Sequence, residues 1–203
     1  MRVSIFDYGA GNMHSLTKAL GAPGSELVIE PDPVRATDTD LLILPGVGAF
    51  GAAADRLAAG RDAMREAIRR GLPTIGICLG MQLLFEASEE GEGEGLGVIA
   101  GRVERLRAAQ VPHIGWNSVE PAGRTTLSVA PPATVYYANS FVCRPADESV
   151  VAAWTTHESD RFPAVVRAGT AVGVQFHPEK SSAPGVRFLR ELIAASPVWR
   201  RTT

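Results

Sequence analysis

The sequence predicts an α/β fold built on an open, mostly parallel sheet with flanking helices and with antiparallel additions in its C-terminal half. Three observations carry that prediction. Short apolar runs alternate with helical patterns as far as Phe85, the order expected of strands laid side by side with helices returning over them. The runs "DLLILPG" and "PTIGIC" show no polar alternation, as strands require when both faces of a parallel sheet are covered. Beyond Gly97 the strand-like runs come with Pro and Gly punctuation and little helix, a pattern of hairpins and mixed pairing.

Taken in order, "RVSIF" from Arg2 to Phe6 reads as a buried strand. Gly11 to Leu20 reads as a helix with Met13, Leu16 and Leu20 as its apolar residues. "ELVIE" is a second strand and Asp40 to Gly46 a third. Helical pattern runs from Gly51 to Arg70 with a break near Gly60, and "PTIGIC" is a fourth strand leading into a further helix. That helix is expected to end at "ASEEGEGEGLG", Ala87 to Gly97, whose acidic and glycine-rich composition predicts an exposed loop. "RVERL", "TVYYANSFVC", "VVAAWT", "AVVRAG" and "AVGVQF" are the later strands, and Ala183 to Ala195 is the last helix. With no internal repeat and no long linker, residues 1–203 are expected to form a single domain.

A chain of 203 residues, 45% hydrophobic with mean hydropathy +0.05, is long enough for one sizeable core. The formal charge of -2, with Lys and Arg scattered, leaves no basic stripe for a phosphate backbone, so no nucleic-acid partner is expected. Arg200 and Arg201 read as a solvated tail. Leu72 to Phe85 is uncharged but holds Pro73 and falls short of the ~20 residues that span a bilayer. No membrane partner is expected. The N-terminus meets Asp7 too early for a signal-peptide core of about 7 to 15 residues, so a cytoplasmic location is expected. Cys78 and Cys143 lie far apart with no metal-ligand spacing around them, and neither a disulfide, a metal nor a cofactor is expected.

The chemistry is concentrated at the ends of apolar runs. In "GICLG", Cys78 stands where a strand turns sharply into a helix, with glycines two residues before and after. This is the geometry of a nucleophile elbow with cysteine in place of serine. The position aims the thiol above the carboxyl edge of the sheet and gives it a helix start, which favours thiolate, while Leu79 offers a backbone N–H to an oxyanion. The elbow alone leaves two readings, a nucleophile or a cysteine packed as a small hydrophobe.

Among four histidines, His14 and His157 are expected to face solvent, and His113 has no carboxylate at useful spacing. His177 closes "AVGVQF", and Pro178 keeps it extended so that Glu179 can reach one ring nitrogen and leave the other for Cys78. By itself His177-Pro178-Glu179 is also a common strand-ending turn. "LPGVGAF", Pro45 to Phe50, ends the third strand, where its glycines let backbone amides approach a ligand. All three segments fall at carboxyl ends of expected strands, where open α/β sheets collect ligands. Cysteine, histidine and glutamate in one crevice specify acyl transfer through a thioester.

"LILPGVGAF", "GICLGMQLLF" and "VGVQFHPEKS" resemble the three signature segments of class I, triad-type glutamine amidotransferases. "DYGAGNMHSL", "HIGWN" and "HPEKSS" resemble, more narrowly, the glutaminase-subunit subfamily of imidazole glycerol phosphate synthases. The likeness spans essentially the whole chain and is weakest in "VIEPDPVRATD" and in Arg105 to Val111. It implies a flavodoxin-like sheet and a glutaminase of histidine biosynthesis, paired as a heterodimer with a (β/α)8-barrel cyclase to which it delivers ammonia from glutamine. It further implies Cys78, His177 and Glu179 as the catalytic set, and Leu79 with Val47 and Gly48 as oxyanion donors. Gly48, Gln82 and the "NSF" segment, Asn139, Ser140 and Phe141, match glutamine contacts, although the family commonly carries His-Ser-Tyr in that last segment. Asn12, Trp116 and Lys180 match the partner-facing surface.

Other readings remain open at this stage. One is the glutaminase of another synthase, such as that of vitamin B6 formation, and another is a γ-glutamyl hydrolase on the same scaffold. A third is a regulatory subunit with a vestigial site.

Overall fold

A computed structural model describes residues 1–9, 14–21, 26–123 and 127–199. Its first half is β1 (Arg2–Phe6), α1 (His14–Leu20), β2 (Glu26–Glu30), β3 (Leu41–Leu44), α2 (Phe50–Ala58), α3 (Arg61–Arg69), β4 (Thr74–Ile77) and α4 (Leu79–Gln82). Then come β5 (Ala87–Ser88), β6 (Gly101–Arg105), β7 (His113–Ser118), β8 (Glu120–Pro121), β9 (Thr134–Asn139) and β10 (Phe141–Pro145). β11 (Val151–His157), β12 (Asp160–Ala168), β13 (Ala171–Val174) and α5 (Ser182–Trp199) complete the described chain.

Among the described residues, eight strands form one sheet in the order β2-β1-β3-β4-β13-β12-β11-β8. From β2 to β13 every pairing is parallel, and from β13 outward every pairing is antiparallel. Thus β13, from the end of the chain, is the strand at which the sheet changes character. Its neighbour β4 comes from the first half, and all four residues are buried in each of β3, β4 and β13. That explains the unbroken apolar runs, because neither face of these strands meets water. Alternate residues go to opposite cores: Leu41 and Ile43 pack under α1 and α5 with Leu20, Phe188 and Leu192, whereas Leu42 and Leu44 pack under α2 and α3 with Leu57, Met64 and Ile68. Each such side chain contributes roughly 1.5–3 kcal/mol on burial.

Two smaller sheets, β10-β6-β5 and β7-β9, extend the C-terminal half. The run "TVYYANSFVC" is therefore two strands that separate at Ser140 and join different sheets.

The expected helix beyond Cys78 is only one turn long. Its continuation is prevented by the glycine-rich loop, whose amides take the carbonyls a longer helix would need: Leu96 N donates to Leu83 O at 2.7 Å, Val98 N to Leu84 O at 2.9 Å and Gly97 N to Phe85 O at 3.1 Å. That loop is less exposed than its composition predicts, since Leu96 is buried and the Glu90 carboxylate accepts from Phe50 N at the start of α2. At the other end, α5 runs past the expected Ala195 and through Pro197. The Ser196 hydroxyl donates to Ile193 O at 2.8 Å, serving the carbonyl that proline's missing N–H cannot. No described helix is long and apolar enough to cross a membrane. Gly11 to Met13 of the expected first helix, and Arg200 and Arg201, lie outside the described residues.

Candidate active site

Cys78 follows β4 directly and adopts φ 46°, ψ -103°, a left-handed conformation costly for a residue with a Cβ. Neighbouring bonds hold it there. Cys78 N donates to Val174 O at 2.7 Å, extending the β4–β13 ladder, and Gln82 N donates to Cys78 O at 3.1 Å. The flanking glycines have specific partners. A Cβ on Gly76 would strike the backbone of Gly80 and Met81, and one on Gly80 would run into the carbonyl of Leu44. Glycine at both positions lets the first turn of α4 lie directly on the ends of β3 and β4. Leu79 opens that turn, so its amide has no acceptor four residues back. One turn also carries little macrodipole, so the helix start lends the sulfur less than the sequence predicts.

His177 stands just beyond β13, extended at φ -101°, ψ 97° as Pro178 requires, and Pro178–Lys180 then forms a 3-10 turn. Nδ1–H donates to the Glu179 carboxylate at 2.8 Å, and both side chains are buried. Burial lowers the imidazole's proton affinity. The negative Cys78 sulfur, its hydrogen bond to the ring and the Glu179 carboxylate outweigh that, and together they push His177 up to about 10. The charged form of the ring is thus favoured, with sulfur and carboxylate both acting on it.

The loop after β3 closes over these groups. A Cβ on Gly46 would lie 2.9 Å from Ile77 O and 3.1 Å from His177 Cε1, so only glycine lets the loop come this close to the imidazole. Val47 is half-buried, and Gly48, exposed, adopts φ 111°. The Gln82 and Asn139 amides both donate to Phe141 O at 3.1 Å. Ser140 O accepts from Leu106 N. Gln82 on α4 and the Asn139–Phe141 segment, far apart in sequence, are therefore in direct contact.

Two groups at the site were not singled out by the sequence. The Gln175 amide donates from Nε2 to Cys78 Sγ at 3.6 Å; its signal in the sequence is a lone polar residue in an apolar run. Tyr8, buried beyond β1, donates its hydroxyl to Pro45 O. Burial, followed by the charges of Cys78 and Asp7, holds that phenol well above its ordinary range. No local pattern announces such a contact between two different strand ends.

Trp116, 53% exposed, and Ile114, 62% exposed, stand on the outer face of β7. Lys180 is also exposed, and Asn12 lies outside the described residues. The Trp116 ring packs on Tyr136 at 6.1 Å between centroids. Tyr136 in turn accepts from His177 N at 2.9 Å and donates its own N–H to Ser181 Oγ. A short chain of contacts thus joins the exposed tryptophan to the backbone of the buried histidine. His14 is exposed as expected, but His157 is not simply solvated. It is half-buried, stacked on His113 at 4.1 Å, with Nε2 against Gln110 O at 3.0 Å. The THESD turn folds back on β7, which its polar sequence does not reveal. Cys143 is fully buried, and burial first, with the Cys78 sulfur second, pushes its thiol well up.

A family model for class-I glutamine amidotransferases matches residues 4–194. An imidazole glycerol phosphate synthase subunit HisH from Synechococcus sp. (strain JA-3-3Ab) is 39% identical over 201 residues, covering 95% of this chain and 93% of that protein. The HisH subunit from Pyrococcus furiosus is 42% identical over 192 residues, covering 93% and 96%. In overall shape the chain is similar to a crystal structure of a glutamine amidotransferase at TM-score 0.72 and 22% identity, covering 96% of this chain and 98% of the other. With an elbow cysteine, an imidazole and a carboxylate brought together and relatives matched along nearly their whole length, the chain belongs to the class-I glutamine amidotransferase family, among the HisH subunits of imidazole glycerol phosphate synthase.

Proposed function

We propose that this chain hydrolyses glutamine through a Cys78 thioester and passes the ammonia to the cyclase subunit of an imidazole glycerol phosphate synthase. The observation that carries the reading is the meeting of sulfur, imidazole and carboxylate at one rim of the sheet, with His177 interacting with both Cys78 and Glu179. The Cys78 thiolate attacks the carboxamide carbon of glutamine. The carbonyl electrons move to oxygen, where the Leu79 amide and the backbone at Val47 and Gly48 receive them. His177 gives its proton to the departing nitrogen, and ammonia leaves. Now neutral, the ring takes a proton from water, hydroxide adds to the thioester, and glutamate leaves as the thiolate re-forms. Glu179 holds the ring in one orientation and stabilises its charged form throughout.

Gly48, Gln82 and the Asn139, Ser140 and Phe141 segment bind glutamine in this reading. Asn12, Trp116 and Lys180 face a (β/α)8-barrel cyclase in a heterodimer. The whole chain, 1–203, acts as one cytoplasmic domain. Ammonia released into neutral water becomes mostly ammonium, which is not nucleophilic, so a sequestered path to the partner preserves the reactive form. The test is glutamate release by the wild type and by Cys78→Ala, each with and without cyclase and its nucleotide substrate. Release is expected to be low alone, strongly stimulated in the complex and abolished by the substitution, with the complex still formed. Equal turnover with and without the partner would contradict the reading.

A further inference from the structure

We infer that Gln175 is a further catalytic residue, its side-chain amide donating to the Cys78 sulfur and easing that sulfur's departure from the glutamyl thioester. The inference rests on the glutaminase reading above. Gln175 is the lone polar side chain in the apolar run that forms β13 and its exit. It is fully buried, and Gln175 N donates to Ala164 O at 2.9 Å, so its position is set by pairing with β12. Its Nε2 lies 3.6 Å from Cys78 Sγ, within range of an N–H···S bond.

The other end of the same amide makes the case sharper. Gln175 Oε1 is buried and has no hydrogen-bond partner among the described residues. A core amide kept for stability has both ends satisfied, because an unmet buried acceptor is a net cost. Here the contact that remains is with the reacting atom. The amide orientation also follows from charge, since the carbonyl oxygen turned toward an anionic sulfur would repel it.

Two donors therefore face the sulfur from one stretch of chain, Gln175 and, two residues on, His177. They differ in kind. The imidazolium gives its proton away to the leaving ammonia and must regain one from water. A carboxamide N–H transfers nothing and is the same in both half-reactions. When the second tetrahedral intermediate collapses, the C–S bond breaks with its electron pair going to sulfur, and negative charge grows beside Nε2. A hydrogen bond to a charged acceptor is stronger than one to a thioester sulfur, so the amide lowers the barrier to this step more than it stabilises the acyl-enzyme. In the first half-reaction the bond weakens as the sulfur loses charge, so Gln175 does little to speed acylation.

The test uses the complex with cyclase and nucleotide, and glutamine as substrate. Gln175→Met removes the donor while keeping the length of the side chain, and leaves no acceptor unmet. It is expected to lower kcat about tenfold, the size of one charge-assisted hydrogen bond. KM should fall with it, leaving kcat/KM nearly unchanged, and quenched turnover with radiolabelled glutamine should trap a larger fraction of the enzyme as thioester. Gln175→Glu, which keeps the shape and puts an acceptor beside the sulfur, should accumulate thioester as well. A merely structural role would instead lower kcat/KM and the melting temperature without accumulation. That result, or unchanged kcat in a folded variant, would overturn the inference. Loss of glutamate release in the wild type itself would be a failure of the glutaminase reading, and is read separately.

Discussion

The central sheet and the small β7-β9 sheet are built on opposite terms. In β3 and β4 every side chain is buried, and the elbow between β4 and α4 depends on backbones packed too closely for a Cβ at Gly80. In β7 burial alternates instead: His113 points into the core while Ile114 and Trp116 face outward. The parallel strands are a close-packed seat that holds the sulfur in a strained conformation, whereas the two-stranded sheet offers a bare apolar face tied to the His177 backbone through Tyr136. A side chain can be held by close packing or connected to a surface, and this molecule does the first at the β4–α4 elbow and the second through β7 and β9.

The strongest challenge to the close-packed seat is Gly80→Ala. Overpacking against Leu44 O should destabilise the fold by about 3 kcal/mol, read from the denaturant midpoint. A loss below about 0.5 kcal/mol would show that the seat yields and would erase the contrast. The β7-β9 sheet should fail first in acid. Burial, with the neighbouring His157 adding to it, lowers His113 to about 4. A depressed histidine favours the fold while neutral, so its contribution is present above the unfolded value of about 6.5 and is lost as pH falls from there toward 4. A loss on the order of 1 kcal/mol corresponds to about 2 to 4 °C in Tm, and His113→Gln should flatten that part of the pH profile. The smallest effect on stability belongs to Trp116→Ala, within about 0.5 kcal/mol for an exposed side chain. The same change should weaken cyclase binding by roughly 2 kcal/mol or more if Trp116 anchors the interface; calorimetric titration with the cyclase sharpens the comparison by separating the two numbers.

Much of this architecture is legible in the residues because the forces are local. "LLIL" and "TIGI" announce strands covered on both faces, the glycines at 76 and 80 announce an elbow, and Pro178 announces an extended histidine before a turn. What the sequence hides comes from residues far apart in the chain. The helix after Cys78 stops early because amides from Leu96 to Val98 claim its carbonyls, and no local pattern encodes that claim. Gln175 and Tyr8 gain their contacts from Cys78 and Pro45, which reach them through neighbouring strands. His157 reads as a surface histidine until its turn is seen stacked on His113. The helical stretch beyond Pro197 is likewise invisible to a rule that treats proline as a stop, because Ser196 supplies the missing donor from its side chain.

The place of β13 beside β4 also orders events on the ribosome. A growing polypeptide emerges with Cys78 roughly a hundred residues ahead of His177, and the strand that would support the sulfur from the other side has not yet been made. In the proposed mechanism His177 delivers the proton, so an unfinished chain that ends before residue 177 would not hydrolyse glutamine.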